Sequence, residues 1–131
     1  MNPVVVLDAG VLDRVVSNQE FRGVLRDLVE DGWDPIIPAV VLAEVITGRA
    51  ADAPANQLVR RLGTVETSEG TARQAGRLRF DVVRAGVRRT PSGIDAIVAA
   101  HAWEAGSGVV FTTDPTDLRR LLADAPHVSV E

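Results

Sequence analysis

The stretch Val4-Val5-Val6-Leu7-Asp8 decides the fold of this chain, because four apolar residues lead directly into a single acid. A short, continuous apolar run of this kind predicts a buried strand of a parallel sheet, with Asp8 at its carboxyl end. Further strands are predicted at residues 34–37, 109–111 and 127–130, with a possible one at 64–66. Helices are predicted between the strands, so the fold class is α/β with a mainly parallel central sheet.

The predicted helices follow from apolar residues at helical spacing and from Pro, Ser and Asp near their starts. A long helical pattern covers residues 11–29, with a break near Ser17-Asn18. Residues 38–48, P-A-V-V-L-A-E-V-I-T-G, are predicted as one helix that begins at Pro38 and ends at Gly48. Residues 50–55 are predicted as a loop, and further helices are predicted at 55–63, 68–86, 92–105 and 114–122.

Length and composition indicate one globular domain that spans residues 1–131. Its 46% hydrophobic and 24% charged residues are ordinary for such a domain. No apolar run approaches the roughly 18 residues of a membrane span. The N-terminus also lacks the basic region of a signal peptide, so we expect a cytoplasmic protein without a membrane partner. Cys is absent and the two His are isolated, which disfavours a zinc site.

The basic residues are unusual because all 14 are Arg. A P-loop and Schiff-base chemistry both require Lys, so these two classes of function are excluded, and a receiver-type phosphorylation domain is disfavoured. Residues 60–89 hold eight Arg against three acids, a net charge of +5, whereas the rest of the chain carries −9. This basic segment predicts an anion-binding surface on an otherwise acidic protein.

Acidic residues fall where predicted strands end. Asp8 follows the first strand and Asp114 follows the third, at the edge where open α/β sheets bind their ligands. Glu44 and Asp95 lie on helices that begin at the same edge, and Asp117 lies one turn beyond Asp114. Such a cluster favours a hard divalent ion, Mg²⁺ or Mn²⁺, whose charge makes neighbouring carboxylates tolerable. A site of this kind can hydrolyse phosphodiesters.

Most of these acids also have a structural alternative. Asp8 and Asp114 could each cap the helix that follows, and Asp95 could belong to a helix cap with Ser92. Glu44 has no capping role in the middle of a predicted helix, and its neighbours there are apolar. A lone carboxylate in such a setting is costly unless something pairs with it. Glu44 is therefore the strongest sequence indication of a metal site.

The acids sit in four stretches that follow one another along the chain. These are residues 4–12 (VVVLDAGVL), 41–45 (VLAEV), 93–102 (GIDAIVAAHA) and 110–118 (VFTTDPTDL). Together they resemble the motifs of the PIN domain family, and particularly the VapC-type toxins of bacterial and archaeal toxin–antitoxin pairs. The resemblance covers essentially the whole chain. It implies that the acids hold one or two Mg²⁺ or Mn²⁺ ions and that the protein cleaves single-stranded or looped RNA.

The resemblance also implies roles for individual residues. Thr112 matches the hydroxyl residue of the last motif and would orient a carboxylate or contact a phosphate, and Asp117 would act through water. Two positions depart from the family pattern, since Ala9-Gly10 supplies no hydroxyl after Asp8 and Leu118 stands where an aromatic is common. The residues assigned to catalysis and to the metal are Asp8, Glu44, Asp95 and Asp114, with Asp117 as a further metal residue.

Two helix faces are candidates for partner binding. On a helical wheel of about 100° per residue, four arginines fall within about 60° of one another: Arg73, Arg77, Arg84 and Arg88. They predict either a solvated face or contacts to an RNA backbone. The second face carries Phe21, Leu25 and Leu28, with Trp33 beyond, and predicts core packing. The resemblance implies that part of it docks an antitoxin peptide and that the protein forms a homodimer.

The leading hypothesis is a divalent-metal-dependent endoribonuclease, the toxin of a VapBC-type pair, with RNA as substrate and a cognate antitoxin as partner. A metal-activated water would cleave the phosphodiester and leave 5′-phosphate and 3′-hydroxyl ends. One alternative is a catalytically inactive PIN-like module that binds RNA or protein. Another is a small phosphatase with Asp8 as nucleophile, but Asp8-Ala9-Gly10 lacks the usual D-x-D pattern and the chain has no Lys.

Overall fold

The N-terminal apolar strand is an inner strand of a four-stranded parallel sheet. The computed structural model describes residues 3–106, 108–125 and 127–130, apart from the side chains of residues 13 and 15–17. Its strands are β1 (Val4–Leu7), β2 (Asp34–Ile36), β3 (Gly108–Phe111) and β4 (Val128–Val130). They lie in the order β2-β1-β3-β4, and each neighbouring pair is parallel. The predicted α/β class and parallel sheet are therefore confirmed.

Helices connect and cover these strands. They are α1 (Ala9–Ser17), α2 (Gln19–Glu30), α3 (Leu42–Val45), α4 (Ala53–Leu62), α5 (Glu69–Arg84), α6 (Gly93–Glu104) and α7 (Pro115–Leu121). The break predicted near Ser17-Asn18 is confirmed, because Asn18 ends α1 and caps α2. No helix in the described part of the chain combines the length and the apolar character that a bilayer span requires.

The register of β1 and β3 brings two chain segments together at the carboxyl edge of the sheet. Val6 pairs with Val110 and Leu7 with Phe111, so Asp8 and Thr112 follow on adjacent strands. Val5, Val6 and Leu7 are fully buried between layers of helices. This apolar core holds the carboxyl edge in place, since burial of β-branched strands on both faces is typical of parallel sheets.

Helices α5 and α6 form an antiparallel pair that extends to the same edge. At one end the Thr71 hydroxyl donates to Glu104 Oε2 at 2.7 Å, and at the other Arg79 Nε donates to the Pro91 carbonyl at 2.8 Å. Helix α6 is apolar around most of its circumference and is the central helix of the core. Its N-terminal turn, which carries Asp95, therefore lies beside the C-terminal half of α5.

The helix predicted for residues 38–48 is wrong. The structure has a 3-10 turn at Ala39–Val41 and then the single α-helical turn of α3. Five of the eleven residues are β-branched and have low helix propensity. The amides that follow α3 bond to the carboxylate of Asp52, which replaces the helical hydrogen-bond pattern from Thr47 onward.

Three smaller predictions also need correction. Residues 50–55 are a 3-10 turn (Ala50–Asp52) and the start of α4, not a loop. The possible strand at residues 64–66 is a single bridge between Val65 and Pro38. Helix α5 ends at Arg84 and Gly86 has φ of 83°, a left-handed conformation that favours glycine, so Arg88 is not on that helix.

Candidate active site

Asp8 is held at the carboxyl edge by two hydrogen bonds to its carboxylate. The amide of Ala9 donates to Oδ1 at 2.8 Å, and the hydroxyl of Thr112 donates to Oδ2 at 2.8 Å. Asp8 thus caps α1, and it also lies buried beside the end of β3. The role predicted for Thr112, to orient a carboxylate, agrees with this contact.

Asp95 lies in the first turn of α6, where Ser92 Oγ accepts a hydrogen bond from its amide at 3.0 Å. Burial and, after it, the negative charges of Asp8, Glu44 and Asp117 together raise the pKa of the half-buried Asp95 carboxyl to about 6, although a hydrogen bond with the Ser92 side chain lowers it. Three of the other predicted acids are therefore close enough to Asp95 to disturb its ionisation electrostatically. Asp95 is the centre of the carboxylate cluster.

Glu44 reaches this cluster in a way that differs from the prediction. It lies in the exposed part of α3 and is not enclosed by its apolar neighbours. Because the turn is so short, Val41 points into the core while Ala43 and Glu44 face solvent. The argument that Glu44 is a buried carboxylate in need of a partner is wrong. Its charge nevertheless acts on Asp95.

Asp114 and Asp117 lie at the start of α7, which follows β3. Asp114 is exposed and occupies the N-cap position, yet its side chain makes no capping hydrogen bond. Its amide instead donates to the hydroxyl of Thr112 at 3.1 Å. The side chain of Asp117 is mostly buried, and its Oδ1 lies 3.8 Å from Arg120 NH1. Asp117 is therefore part of the cluster around Asp95, whereas the Asp114 side chain is free to turn toward a ligand.

The donor set fits a hard divalent ion by its chemistry, because all of its members are carboxylates, and burial together with the charges of three of them raises the pKa of Asp95. Among the residues that the structure describes, however, no three acidic or His side chains converge closely enough to hold an ion between them. An ion would have to draw the carboxylates together. The two His make other contacts, since His101 lies 3.0 Å from the Thr67 hydroxyl and His127 lies 2.9 Å from the Trp103 carbonyl.

Comparison with protein families identifies the domain that carries this cluster. The family model described as PIN domain matches residues 5–121, which include the four clustered acids and Asp114. The chain belongs to the PIN domain family. Comparison with curated protein sequences finds no match.

Solved structures share the fold of this PIN domain along almost the whole chain. VapBC2 from Rickettsia felis, bound to a DNA fragment from its promoter, has a TM-score of 0.76 at 18% identity and covers 98% of this chain and 97% of its own. DNA-bound VapBC from Salmonella typhimurium has a TM-score of 0.72 at 22% identity, with coverage of 100% and 98%. FitAB bound to the IR36 DNA fragment has a TM-score of 0.72 at 19% identity, with coverage of 97% and 93%.

The first motif of this PIN domain lacks a hydroxyl residue after Asp8. Its Gly10 lies against Thr113, a residue of the segment that follows β3. A Cβ atom at Gly10 would overlap the hydroxyl of Thr113, which lies against the first turn of α1. The absence of a side chain at Gly10 thus leaves room for the close approach of Thr113 to the start of α1.

Sequence reasoning missed Asp52, a buried carboxylate just outside the PIN motif that contains Glu44. It accepts hydrogen bonds from the amides of Thr47, Gly48 and Arg49 and from the Thr47 hydroxyl, at 2.7 to 3.2 Å. These bonds, led by the Thr47 amide, hold the pKa of Asp52 below its ordinary value despite desolvation. An acid a few residues after Thr-Gly is typical of such side-chain-to-backbone bonding and was a weak available signal.

Proposed function

We propose that this PIN domain is a divalent-metal-dependent endoribonuclease and the toxin of a VapBC-type toxin–antitoxin pair. The observation that carries the proposal is the crowding of carboxylates around Asp95, whose pKa is raised to about 6. Repelling acids at the carboxyl edge of a parallel sheet are stabilised by a bound cation. The RNA phosphodiester is a substrate for which such a site supplies the required chemistry.

Each residue of the cluster has a task in this proposal. Thr112 and the Ala9 amide hold the Asp8 carboxylate in one orientation, so that its ligand geometry is set before substrate arrives. In the metal-free protein, Asp95 takes up a proton at mildly acidic pH, which relieves the repulsion in the cluster. A bound Mg²⁺ or Mn²⁺ would neutralise phosphate charge and activate the attacking water. The residues that would hold it are Asp8, Glu44, Asp95 and Asp114, with Asp117 through water.

A groove beside Glu44 offers a path for the substrate strand. It has a volume of about 710 Å³ and lies between α3 and the start of α6. Its walls include Val40, Ala43, Ile94 and Ile97, and the Ser92-Gly93 turn closes one side. Apolar walls suit the faces of nucleobases, and the groove is also lined by Glu44, whose charge acts on Asp95.

The test is cleavage of single-stranded RNA by the purified chain with Mg²⁺ or Mn²⁺. We expect EDTA to abolish cleavage and Asp8→Asn to lower its rate by about a hundredfold or more, since a ligand of the ion is lost. Asp34→Asn is the matched control, because Asp34 is exposed and lies opposite Val4 at the other end of the sheet. Cleavage in EDTA, or full activity of Glu44→Gln, would contradict the proposal.

One observation favours an alternative, a catalytically inactive PIN-like module that binds RNA or protein. Within the described residues the acids do not converge on an ion position. Calorimetric titration with Mn²⁺ separates the two functions. Saturable binding that Asp8→Asn weakens favours the nuclease, whereas RNA binding without any Mn²⁺ binding favours the inactive module.

The proposal includes a cognate antitoxin as partner. A groove of about 410 Å³ between α2 and α4 has an apolar floor and a rim of three arginines and Glu30, a net positive charge that suits an acidic amphipathic peptide. Its lining includes Leu25, Val29, Leu58 and Leu62, together with Arg22, Arg26 and Arg61. Phe21 instead packs into the core, where its ring stacks on Phe111 with centroids 5.2 Å apart. Solved relatives that share this fold are complexes of the VapBC and FitAB pairs.

The proposed oligomer is a homodimer, and sedimentation analysis of the purified chain tests it. Trp103, which is partly exposed on α6 and contacts the ring of His127, provides a fluorescence probe for association at that face. A monomer at all concentrations would contradict the proposed dimer without affecting the proposed chemistry.

A further inference from the structure

Phe80 is the most exposed large apolar side chain in the described part of the chain, with 59% of its surface accessible. It lies in α5 on the side turned away from the core. The other two Phe residues, in contrast, stack on each other between α2 and β3. The residues that α5 buries lie on its opposite side: Thr71, Ala75, Leu78 and Val82.

Phe80 lies within the stripe of arginines that the sequence predicts on α5. At about 100° per residue, its side chain falls about 20° from Arg73. The guanidinium of Arg84 lies over the Phe80 ring, 5.8 Å from its centroid. Arg77 donates to the neutral Gln74 at 3.0 Å. We call these residues the basic-aromatic face of α5: Arg73, Arg77, Phe80 and Arg84.

This face keeps unneutralised positive charge. Arg73 is paired with Glu69 at 2.9 Å, but in the described residues neither Arg77 nor Arg84 forms a salt bridge. Asp81 borders the face without pairing to either of them. A cationic face of this kind is complementary to a polyanion, and the aromatic ring at its centre adds a surface on which a base can stack.

One end of the basic-aromatic face lies near the start of α6, the helix that carries Asp95. Arg79, next to Phe80, donates to the carbonyl of Pro91, four residues before Asp95. The C-terminal half of α5 therefore lies at the same end of the molecule as the acidic cluster. Phe80 and Arg84 belong to this half of α5, so they lie at the end of the helix pair that carries Asp95.

We propose that Phe80 is a stacking platform for a nucleobase of single-stranded RNA and that the basic-aromatic face of α5 is an accessory binding surface for the substrate. The proposal rests on the proposed ribonuclease function and extends it to a second contact. Arg77 and Arg84 bind backbone phosphates, because guanidinium groups suit phosphate geometry. The base lies on the ring of Phe80, and this contact tolerates any sequence because every base has an apolar face.

Binding of a short fluorescein-labelled oligouridylate, measured by fluorescence anisotropy in EDTA, tests the contact without cleavage. We expect Phe80→Ala and Phe80→Leu each to weaken binding about tenfold, because both remove the aromatic surface. Phe80→Trp should bind within about twofold of the wild type because it retains a stacking ring. Val83→Ala is the matched control, since Val83 is an exposed apolar residue on the same helix outside this face.

The salt dependence separates the ring from the charges. Arg77→Gln should lower the slope of log affinity against log salt by about one, whereas Phe80→Ala should leave the slope unchanged. Wild-type affinity in Phe80→Ala, or equal binding by the Leu and Trp variants, would overturn the proposal. So would a change from dimer to monomer in Phe80→Ala with unchanged RNA affinity, because the face would then be a protein interface.

The two proposals fail in different ways. If the wild type cleaves RNA and Phe80→Ala has the same KM, the proposed accessory surface is wrong and the proposed nuclease activity is supported. If RNA binding depends on Phe80 but no metal supports cleavage, the proposed accessory surface is supported and the proposed nuclease activity is wrong. In an active enzyme, Phe80→Ala should raise KM about tenfold and leave kcat unchanged, since Phe80 touches the substrate away from the scissile phosphate.

Discussion

Burial and the charges of neighbouring acids both raise the pKa of Asp95. Its carboxyl lies half-buried in the first turn of α6, with Asp8, Glu44 and Asp117 around it. Desolvation and the three neighbouring acids all oppose the ionisation of Asp95. Desolvation removes water from the carboxylate, and the three neighbours repel its charge. An ion is the simplest means of reversing both effects, which is why the functional argument depends on this position.

Asp95→Asn should stabilise the metal-free protein at neutral pH. The folded-state pKa of Asp95, about 6, lies above its ordinary value of 3.8, so the folded protein binds the proton more tightly than the unfolded chain. This tighter proton binding stabilises the folded protein fully below pH about 4, and the stabilisation is lost as pH rises through about 6. After a discount for solvent screening, the variant should be about 1 kcal/mol more stable at pH 7.5 in EDTA.

Urea unfolding of both proteins at pH 7.5 and at pH 3.5 measures this difference. The advantage of Asp95→Asn should largely vanish at the lower pH, where Asp95 is protonated in the folded state and mostly protonated in the unfolded chain. Asp34→Asn, at the opposite end of the sheet, should show no such dependence. An Asp95→Asn protein less stable than the wild type at pH 7.5 would show that repulsion does not govern this carboxyl.

At the scale of elements, the segment that contains α3 depends on a residue that the sequence places in a loop between two predicted helices. The Asp52 carboxylate binds the amides of Thr47, Gly48 and Arg49, so the chain turns sharply after one helical turn. Glu44 lies on this single helical turn and is exposed, three residues before the first amide that Asp52 binds.

Asp52→Ala should release this turn. We expect amide hydrogen exchange of residues 47–49 to become at least about tenfold faster, because their acceptor is removed, while the β1 and β3 amides stay protected. The pKa of Asp52 is lowered by these bonds, so in the wild type the protection should persist below pH 3.8 and disappear as the carboxyl is protonated.

Exchange measured by NMR at several pH values tests this behaviour. Asp124→Ala serves as the control, since Asp124 is an exposed acid that follows α7. Protection of residues 47–49 that survives in Asp52→Ala would mean that the backbone alone maintains the turn.

At the scale of the whole molecule, a bound ion should stabilise the fold, because its proposed ligands come from segments far apart in the chain. Asp8 follows β1, Glu44 lies in α3, Asp95 begins α6, and Asp114 follows β3. Binding to the folded state alone contributes about 2.7 kcal/mol at a hundredfold excess over Kd. Mn²⁺ should therefore raise the Tm in differential scanning fluorimetry.

The gain in Tm should be lost in Asp8→Asn and retained in Asp34→Asn, which keeps the whole cluster. An equal gain in Asp8→Asn would place the ion elsewhere on the protein. This measurement needs no RNA, so it reports on the metal site even if the substrate is misassigned.

The sheet and the acidic positions could be predicted because both depend on local patterns. Short apolar runs between helical patterns indicate parallel strands, and strand ends locate Asp8 and Asp114. Residues 38–52 could not be predicted because the bonds to Asp52 compete with the helical pattern that the sequence suggests. The approach of Thr113 to Gly10 and the end of α5 before Arg88 were likewise matters of three-dimensional packing and backbone conformation.

The sequence by itself determined the α/β class, the order of the strands along the chain and the resemblance to PIN domains, because periodicity and motif spacing are properties of the chain. Only the tertiary structure decided which acids influence one another, since the register of β1 and β3 joins Asp8 to Thr112 across more than a hundred residues. It also showed that Glu44 lies on an exposed helical turn and not within the predicted apolar helix. The physical reason is that burial and electrostatic interaction depend on distances in space, which spacing along the chain does not specify.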